Sequence, residues 1–201
     1  DGSRLVAADA HGALYTSDDF GVSFTPQLGA PPRLYVVASS AGGDHLVAHG
    51  YDEMPLYTSD DYGVTWVARE SARGWSSIAS SADGRHVVAT DGGFGSGGQV
   101  HVSDDYGVTW TAHGPIRAWF ALACSADGNR LAALTGNALL LSEDGGETWG
   151  STGLSGYSKI AMSADGRRLL AGGSSEQRLV VSTDFGATWS VAPVADLPSG
   201  L

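Results

Sequence analysis

The chain has 201 residues, of which 42% are apolar and 16% charged, with a formal net charge of −11 and one lysine, Lys159. That length and apolar share fit a single domain with a real core and exclude a disordered polyelectrolyte. The acidity would repel a phosphate backbone, so nucleic acid is not expected as a partner, and no apolar run approaches the roughly 20 residues of a membrane span.

Taken in chain order, the sequence repeats itself. Asp1-Gly2 leads into a β-prone run, Arg4-Leu5-Val6-Ala7, and then into Ser17-Asp18-Asp19-Phe20-Gly21-Val22-Ser23-Phe24. The pattern returns as Ser59-Asp60-Asp61-Tyr62-Gly63-Val64-Thr65-Trp66 and as Ser103-Asp104-Asp105-Tyr106-Gly107-Val108-Thr109-Trp110. Two later copies are Ser142-Glu143-Asp144-Gly145-Gly146-Glu147-Thr148-Trp149 and Ser182-Thr183-Asp184-Phe185-Gly186-Ala187-Thr188-Trp189. Starts at 17, 59, 103, 142 and 182 are 42, 44, 39 and 40 residues apart, a spacing that chance does not produce.

A second marker runs in phase: Ser81-Ala82-Asp83-Gly84, Ser125-Ala126-Asp127-Gly128 and Ser163-Ala164-Asp165-Gly166, with Ser40-Ala41-Gly42-Gly43 a weaker copy. Each unit then reads as four short strands. Strand A precedes the marker, as in Trp75-Ser76-Ser77-Ile78-Ala79; strand B follows its Asp-Gly turn; strand C enters the eight-residue motif, as in Gln99-Val100-His101-Val102-Ser103; strand D leaves it through Thr-Trp. Runs of this length between Gly, Asp and Ser turns form antiparallel hairpins, and four strands in about 40 residues are the signature of a propeller blade. The expected fold is all-β: a single propeller domain of five four-stranded blades, at about 1–32, 33–73, 74–116, 117–155 and 156–201, the first lacking its innermost strand.

Folding alone accounts for the motif. Ser17, Asp19, Ser59, Asp61, Ser103, Asp105, Ser142, Asp144, Ser182 and Asp184 can bond the turn backbone, as Asx and Ser turns do. Gly21, Gly63, Gly107, Gly146 and Gly186 can take positive φ, and the Thr suits the start of strand D. Trp66, Trp110, Trp149 and Trp189 can cover the turn and bury apolar area between blades. A calcium loop would need alternating acidic ligands and a distal bidentate Glu, and neither is present, so no metal and no cofactor is expected. His11, His45, His49, His86, His101 and His113 lack metal-ligand spacing, and His45 and His86 read as ordinary strand residues.

These copies resemble the Asp-box (BNR) repeats of sialidases, sortilin-type receptors, xyloglucanases and photosystem assembly factors. The phrase around Trp75 is also similar to the simple tandem propellers of secreted microbial and algal proteins. The resemblance covers essentially the whole chain. It implies the fold and places the motifs at the rim, away from ligand sites, so it carries no chemistry to particular residues. By analogy with propellers, a ligand would bind where strand A begins, around the central channel. Leu34, Trp75, Trp119 and Tyr157 are equivalent there, with Arg73 and Arg117 two positions before the tryptophans. Rings beside guanidinium groups suit carbohydrate stacking or carboxylate capture, and packing of the blade tops is the plainer alternative. The B–C stretches Gly50–Met54 and Asp91–Gly98 are longer than their equivalents and are further places for specificity, although the glycines of the second read more simply as a passive flexible insertion.

A sialidase would need three arginines, a Tyr–Glu pair and an acid Asp, and only Arg73 and Arg117 are suitably placed; other glycosidases need a carboxylate pair that does not stand out here. The function expected is therefore a non-catalytic extracellular module, secreted or at the cell surface, that binds a glycan or a protein. A self-assembling building block and a sialidase-like glycoside hydrolase are the alternatives. Self-assembly is suggested by the first blade: the tail Ala192–Leu201 is short and proline-rich for a strand A, and the gap could be filled by that tail, by further blades, or by a strand from another copy in an oligomer or filament. The chain opens at Asp1 with no signal-like segment and reads as a mature or excised piece. Its one cysteine, Cys124, lies in the apolar run Phe120–Cys124, permits no intrachain disulfide, and is expected to be a small buried residue.

Overall fold

The structure is a computed structural model; it describes residues 2–50, 53–92, 97–136, 138–173 and 179–192. The tail beyond Ala192 and parts of both long B–C stretches lie outside the described residues.

The chain lays down sheets one after another, each a simple meander. The first contains β1 (Leu5–Ala8), β2 (Leu14–Ser17) and β3 (Thr25–Pro26). The second contains β4 (Leu34–Ser39), β5 (Leu46–Gly50), β6 (Tyr57–Ser59) and β7 (Val67–Ala68). The third runs through β8 (Trp75–Ser80), β9 (Val87–Asp91), β10 (Gly98–Ser103) and β11 (Thr111–Arg117). The fourth runs through β12 (Trp119–Cys124), β13 (Leu131–Thr135), β14 (Leu139–Ser142) and β15 (Gly150–Ser151). The fifth runs through β16 (Lys159–Met162), β17 (Leu169–Gly172), β18 (Leu179–Ser182) and β19 (Ser190–Val191). All pairings are antiparallel, and no helix occurs among the described residues.

The first strands of neighbouring sheets pack side by side: β1 on β4, β4 on β8, β8 on β12 and β12 on β16. Sheets that share an inner line of strands and splay outward bury both faces of each middle sheet. Every residue of β5 and of β13 is accordingly buried, which explains the unbroken apolar runs that precede each motif. In β1 and β17 burial alternates, with Leu5 and Leu170 each 41% exposed, so the outer face of the first and fifth sheets is open.

The Asp-Gly markers are tight turns between the first two strands of a sheet. Ser81 Oγ donates to Asp83 Oδ1 at 2.6 Å and accepts from His86 N at 3.0 Å, while Gly84 turns at φ 75°. The weaker copy works by substitution: with Gly42 where the aspartate would be, Asp44 accepts from Ser40 Oγ at 2.8 Å.

Two expectations are refined. The last strand of a sheet does not begin at Thr-Trp but one residue later, at Val67 or Thr111, because the Thr is held in the turn. Arg117 belongs to the third sheet, as the last residue of β11, whereas Trp119 opens the fourth.

Candidate functional site

The eight-residue motif folds identically in its copies. In the third sheet Ser103 Oγ donates to Asp105 Oδ1 at 2.8 Å and accepts from Gly107 N at 2.9 Å. Asp105 then spans the turn, accepting Thr109 N at 2.8 Å on Oδ1 and Thr109 Oγ1 at 2.6 Å on Oδ2. The Trp110 indole donates to Gly107 O at 2.9 Å and lies half-buried against Val47 and Leu56 of the sheet before. The same bonds recur from Ser17, Ser59, Ser142 and Ser182. In the first copy Phe24 replaces the tryptophan and is 44% exposed.

Two neighbouring residues in each motif turn left-handed. Gly63 sits at φ 88°, and Tyr62 before it sits at φ 63°; Phe20, Tyr106 and Phe185 repeat this, and the fourth copy uses Gly145. Non-glycine residues with such φ are uncommon and cost energy. From the second copy onward this residue packs on the preceding sheet, against the second residue after that sheet's turn glycine. Arg4 lies over the Tyr62 ring at 4.0 Å, and His45 stacks on Tyr106 at 4.4 Å. His86 Nε2 is 3.2 Å from Gly145 O, and Arg130 lies over the Phe185 ring at 4.9 Å. The same four side chains are pressed by the turn glycine of the next sheet: a Cβ on Gly43, Gly84, Gly128 or Gly166 would fall 2.7–2.9 Å from Arg4, His45, His86 or Arg130. His45 and His86 are therefore not the ordinary strand residues that the sequence suggests. They are rungs between sheets, and the signal for them is that Arg or His recurs at this place in every repeat.

A backbone ladder runs beside the rungs. Ala41 N donates to Ala82 O at 2.7 Å, Ala82 N to Ala126 O at 2.8 Å, and Ala126 N to Ala164 O at 2.8 Å.

The doubled aspartates are divided between two tasks. Asp61 and Asp105 hold the turn, while Asp60 Oδ1 is 3.2 Å from His45 Nδ1 and Asp104 Oδ1 is 2.7 Å from His86 Nδ1. Among the described residues no group of three or more His, Cys, Asp or Glu is placed to hold a metal.

At the end where the first strands begin, the structure separates the expected ligand residues. Trp75 and Trp119 are 4% and 0% exposed, so neither presents an open ring face. Trp75 packs edge-on against His101 at 5.0 Å, and Trp119 lies 5.4 Å from Trp149 and donates from Nε1 to Gly98 O at 3.1 Å. Tyr157 is half-buried against the fourth-sheet core around Leu134 and Leu139. Arg73 is held by Glu70 Oε1 at 3.2 Å and Asp91 Oδ2 at 3.4 Å, with its guanidinium 5.3 Å from the Trp75 ring. Asp91 Oδ2 also faces His101 Nε2 at 3.2 Å. Arg117 is exposed and sits at the same end of the same sheet, paired with Gly98, and its neighbour Ile116 is 73% exposed. Register shifts at the second residue of β4, β8 and β12 mark bulges at Tyr35, Ser76 and Phe120; such bulges bend a strand and re-aim a side chain.

No known protein-family profile and no curated protein matches the chain. Solved structures do. An ancestral GH74 enzyme superposes with a TM-score of 0.70 at 18% identity over 96% of this chain. This chain spans 30% of that enzyme's length. A nidogen/laminin complex gives 0.69 at 10% identity, covering 90% of this chain and 72% of that one. YCF48 bound to D1 peptide gives 0.62 at 17% identity, covering 95% and 64%. The fold is that of a β-propeller.

The propeller's ionisable groups are tuned by its turns. Hydrogen bonds from Thr148, then from its backbone and Ser142, hold Asp144 down at about 2; Thr188 does the same for Asp184 and Ser23 for Asp19, each also at about 2. At Asp61 and Asp105 burial pushes upward, and the Thr and Ser donors outweigh it to leave the carboxyl low. Burial lowers the values of His49 and His101. Burial, with Asp127 nearby, pushes the Cys124 thiol up to about 12. An open groove between the fourth and fifth sheets is lined by Arg130, Glu143, Thr148, Ser151, Asp184 and Phe185.

Proposed function

We propose that this propeller is a non-catalytic recognition module working outside the cell, and that it binds a protein segment at the end where its first strands begin. The observation that carries the reading is the exposed pair Ile116 and Arg117, at the same end of the third sheet as the Arg73–Asp91–Glu70–His101 cluster. An apolar side chain next to an unburied guanidinium at a strand end fits a ligand segment with an acidic and an apolar residue. The burial of Trp75 and Trp119 favours this over sugar stacking, which needs an open ring face. The likeness to YCF48 bound to D1 peptide and to a nidogen/laminin complex is in keeping with a protein ligand.

The non-catalytic part rests on the carboxylates. Glycoside hydrolysis needs an acid whose pKa is raised, and the shifted carboxylates among the described residues are all lowered.

Peptide and glycan arrays probed with the chain test this reading. Capture of acidic–apolar peptides that falls at least tenfold in Arg117→Ala and Ile116→Ser supports it. Capture of glycans alone overturns the choice of ligand, and turnover of xyloglucan or a sialoside overturns the non-catalytic assignment.

A further inference from the structure

β5 carries a histidine, His49, where the later second strands carry Thr90, Leu134 and Gly172. His49 is 1% exposed. Its Nδ1 lies 3.0 Å from Gly50 O, a carbonyl that can only accept, so Nδ1 carries the proton of the neutral ring and Nε2 keeps the lone pair. Nε2 has no hydrogen-bond partner among the described residues. Val47, two positions earlier and so on the same face of β5, packs with Leu56 of its own sheet and with Trp75, Ile78 and Ala89 of the third. The His49 ring therefore faces the joint between the second and third sheets.

The opposite wall of this joint also holds an unpaired group. Trp75 Nε1 is buried and has no partner among the described residues, whereas Trp119, its equivalent one sheet on, donates across its own joint to Gly98 O at 3.1 Å. The ionisable groups of that wall are satisfied by one another. Asp91 Oδ2 faces Arg73 at 3.4 Å and His101 Nε2 at 3.2 Å, and Glu70 Oε1 holds Arg73 at 3.2 Å. A proton arriving on His101 meets the Asp91 carboxylate, which opposes the downward push of burial. A proton arriving on His49 meets no carboxylate among the described residues: burial pushes its value down, and only the Gly50 carbonyl opposes this. At the other end of β5, His45 lies between Asp44 at 3.6 Å and Asp60 at 3.2 Å and stacks on Tyr106.

We propose that His49 is a proton-operated latch in the joint between the second and third sheets: the neutral ring lets the joint close, and the charged ring opens it in mildly acid solution. An imidazolium in an apolar wall, without a counter-charge, is costly, and opening the joint lets water take the charge. His49 in the closed joint holds a proton less firmly than an exposed imidazole with its ordinary value of 6.5, so the open form takes up the proton first. The contribution of the neutral ring to closure is full above about pH 7 and is lost as pH falls below 6.5. The joint between the third and fourth sheets lacks the device, because Thr90 stands in the place of His49 and Trp119 bonds across it. The latch goes beyond the ligand reading and does not depend on it.

Hydrogen exchange of the 201-residue chain at about pH 7 and about pH 5.5 tests this, read as protection factors so that the intrinsic pH dependence of exchange is removed. Ala41 N donates to Ala82 O across this joint, while the amides of Ala82 and Ala126 bridge the next two joints. Protection of Ala41 should fall by about three- to eightfold, the upper figure being full release of one histidine from a low value to its ordinary one. Protection of Ala82 and Ala126 should stay within about twofold, the measure of joints without the latch. His49→Leu keeps the wall apolar and should hold Ala41 protected at both pH values. The wild type supplies a second reading that needs no variant: the His49 ring resonance should titrate below 6.5, in step with the loss at Ala41. Equal protection of Ala41 at both pH values, an equal fall at all three amides, or a His49 ring that titrates at 6.5 or above overturns the latch. So does a fall at Ala41 that survives His49→Leu, which would belong to His45 or His101. No ligand takes part, so these outcomes leave the peptide reading where it stands, and a failure of the peptide arrays leaves the latch.

Discussion

Ser103→Ala removes one oxygen from the third-sheet motif, leaves the Gly107 amide without a partner and takes one donor from Asp105, which keeps Thr109. Ser103 is 2% exposed, and its Oγ is the acceptor for the buried amide of Gly107 at 2.9 Å and the donor to Asp105 at 2.8 Å. A methyl group in its place offers the Gly107 amide nothing to bond. Leaving a buried donor unmade costs about 1–3 kcal/mol, and the lost bond to an ionised carboxylate adds to the upper part of that range. An expected loss of about 2–3 kcal/mol corresponds to a fall in Tm of roughly 4–12 °C for a chain of this size. Ser17→Ala makes the same chemical change in the first sheet, where Gly21 is only half-buried and solvent can take its amide, so the loss should stay below about 1 kcal/mol. Urea unfolding of both variants, with the m-value checked for constancy, measures the difference. Equal losses in the two variants would refute the argument that burial of the turn amide sets the value of the serine.

Trp119→Ala should cost about 3–5 kcal/mol by cavity formation, because the ring is fully buried between Val88, Val100 and Leu131; a near-neutral change in stability would return this tryptophan to the set of ligand contacts. Cys124 is half-buried rather than fully buried as the sequence suggests; its thiol, pushed up to about 12 and bonded to Ser125 O at 3.2 Å, should react with a disulfide reagent at pH 8 far more slowly in the native protein than in denaturant, and equal rates would refute this shielding. Acid should weaken the fold in a defined window. The motif aspartates are held below their unfolded value of 3.8, three of them at about 2, so between about pH 4 and pH 2 the unfolded chain binds more protons than the native one. Their contribution is therefore full above about pH 4 and lost as pH falls toward 2, and Asp144→Asn should flatten that part of a stability–pH curve. A wild-type curve already flat there would contradict it.

The repeat, the strand order within a unit and the turn chemistry are legible in the sequence, because each depends on a few adjacent residues. Ser103, Asp105 and Gly107 act on one another across four positions, and such local bonding is visible in a string of letters. The start of the last strand is less legible: β-propensity points to Thr65, whereas its hydroxyl is bound to Asp61 in the turn. The rungs are hidden for a different reason. Arg4, His45, His86 and Arg130 meet partners some 40–60 residues away, in the next sheet, and nothing local distinguishes them from solvent-facing strand residues. Burial is the hardest property to read. Trp75 and Trp119 stand at a strand start beside arginines, which suggests a platform, yet the neighbouring sheet covers both rings.

Hydrogen exchange at the marker alanines tests the account most directly, because it reports whether successive sheets are locked to one another. The ladder predicts slow exchange at the amides of Ala41, Ala82 and Ala126, each donating to the next sheet at 2.7–2.8 Å. Fast exchange at all three amides would mean that the sheets are not held together in this way, and the junctions built on Arg4, His45, His86 and Arg130 would fall with it.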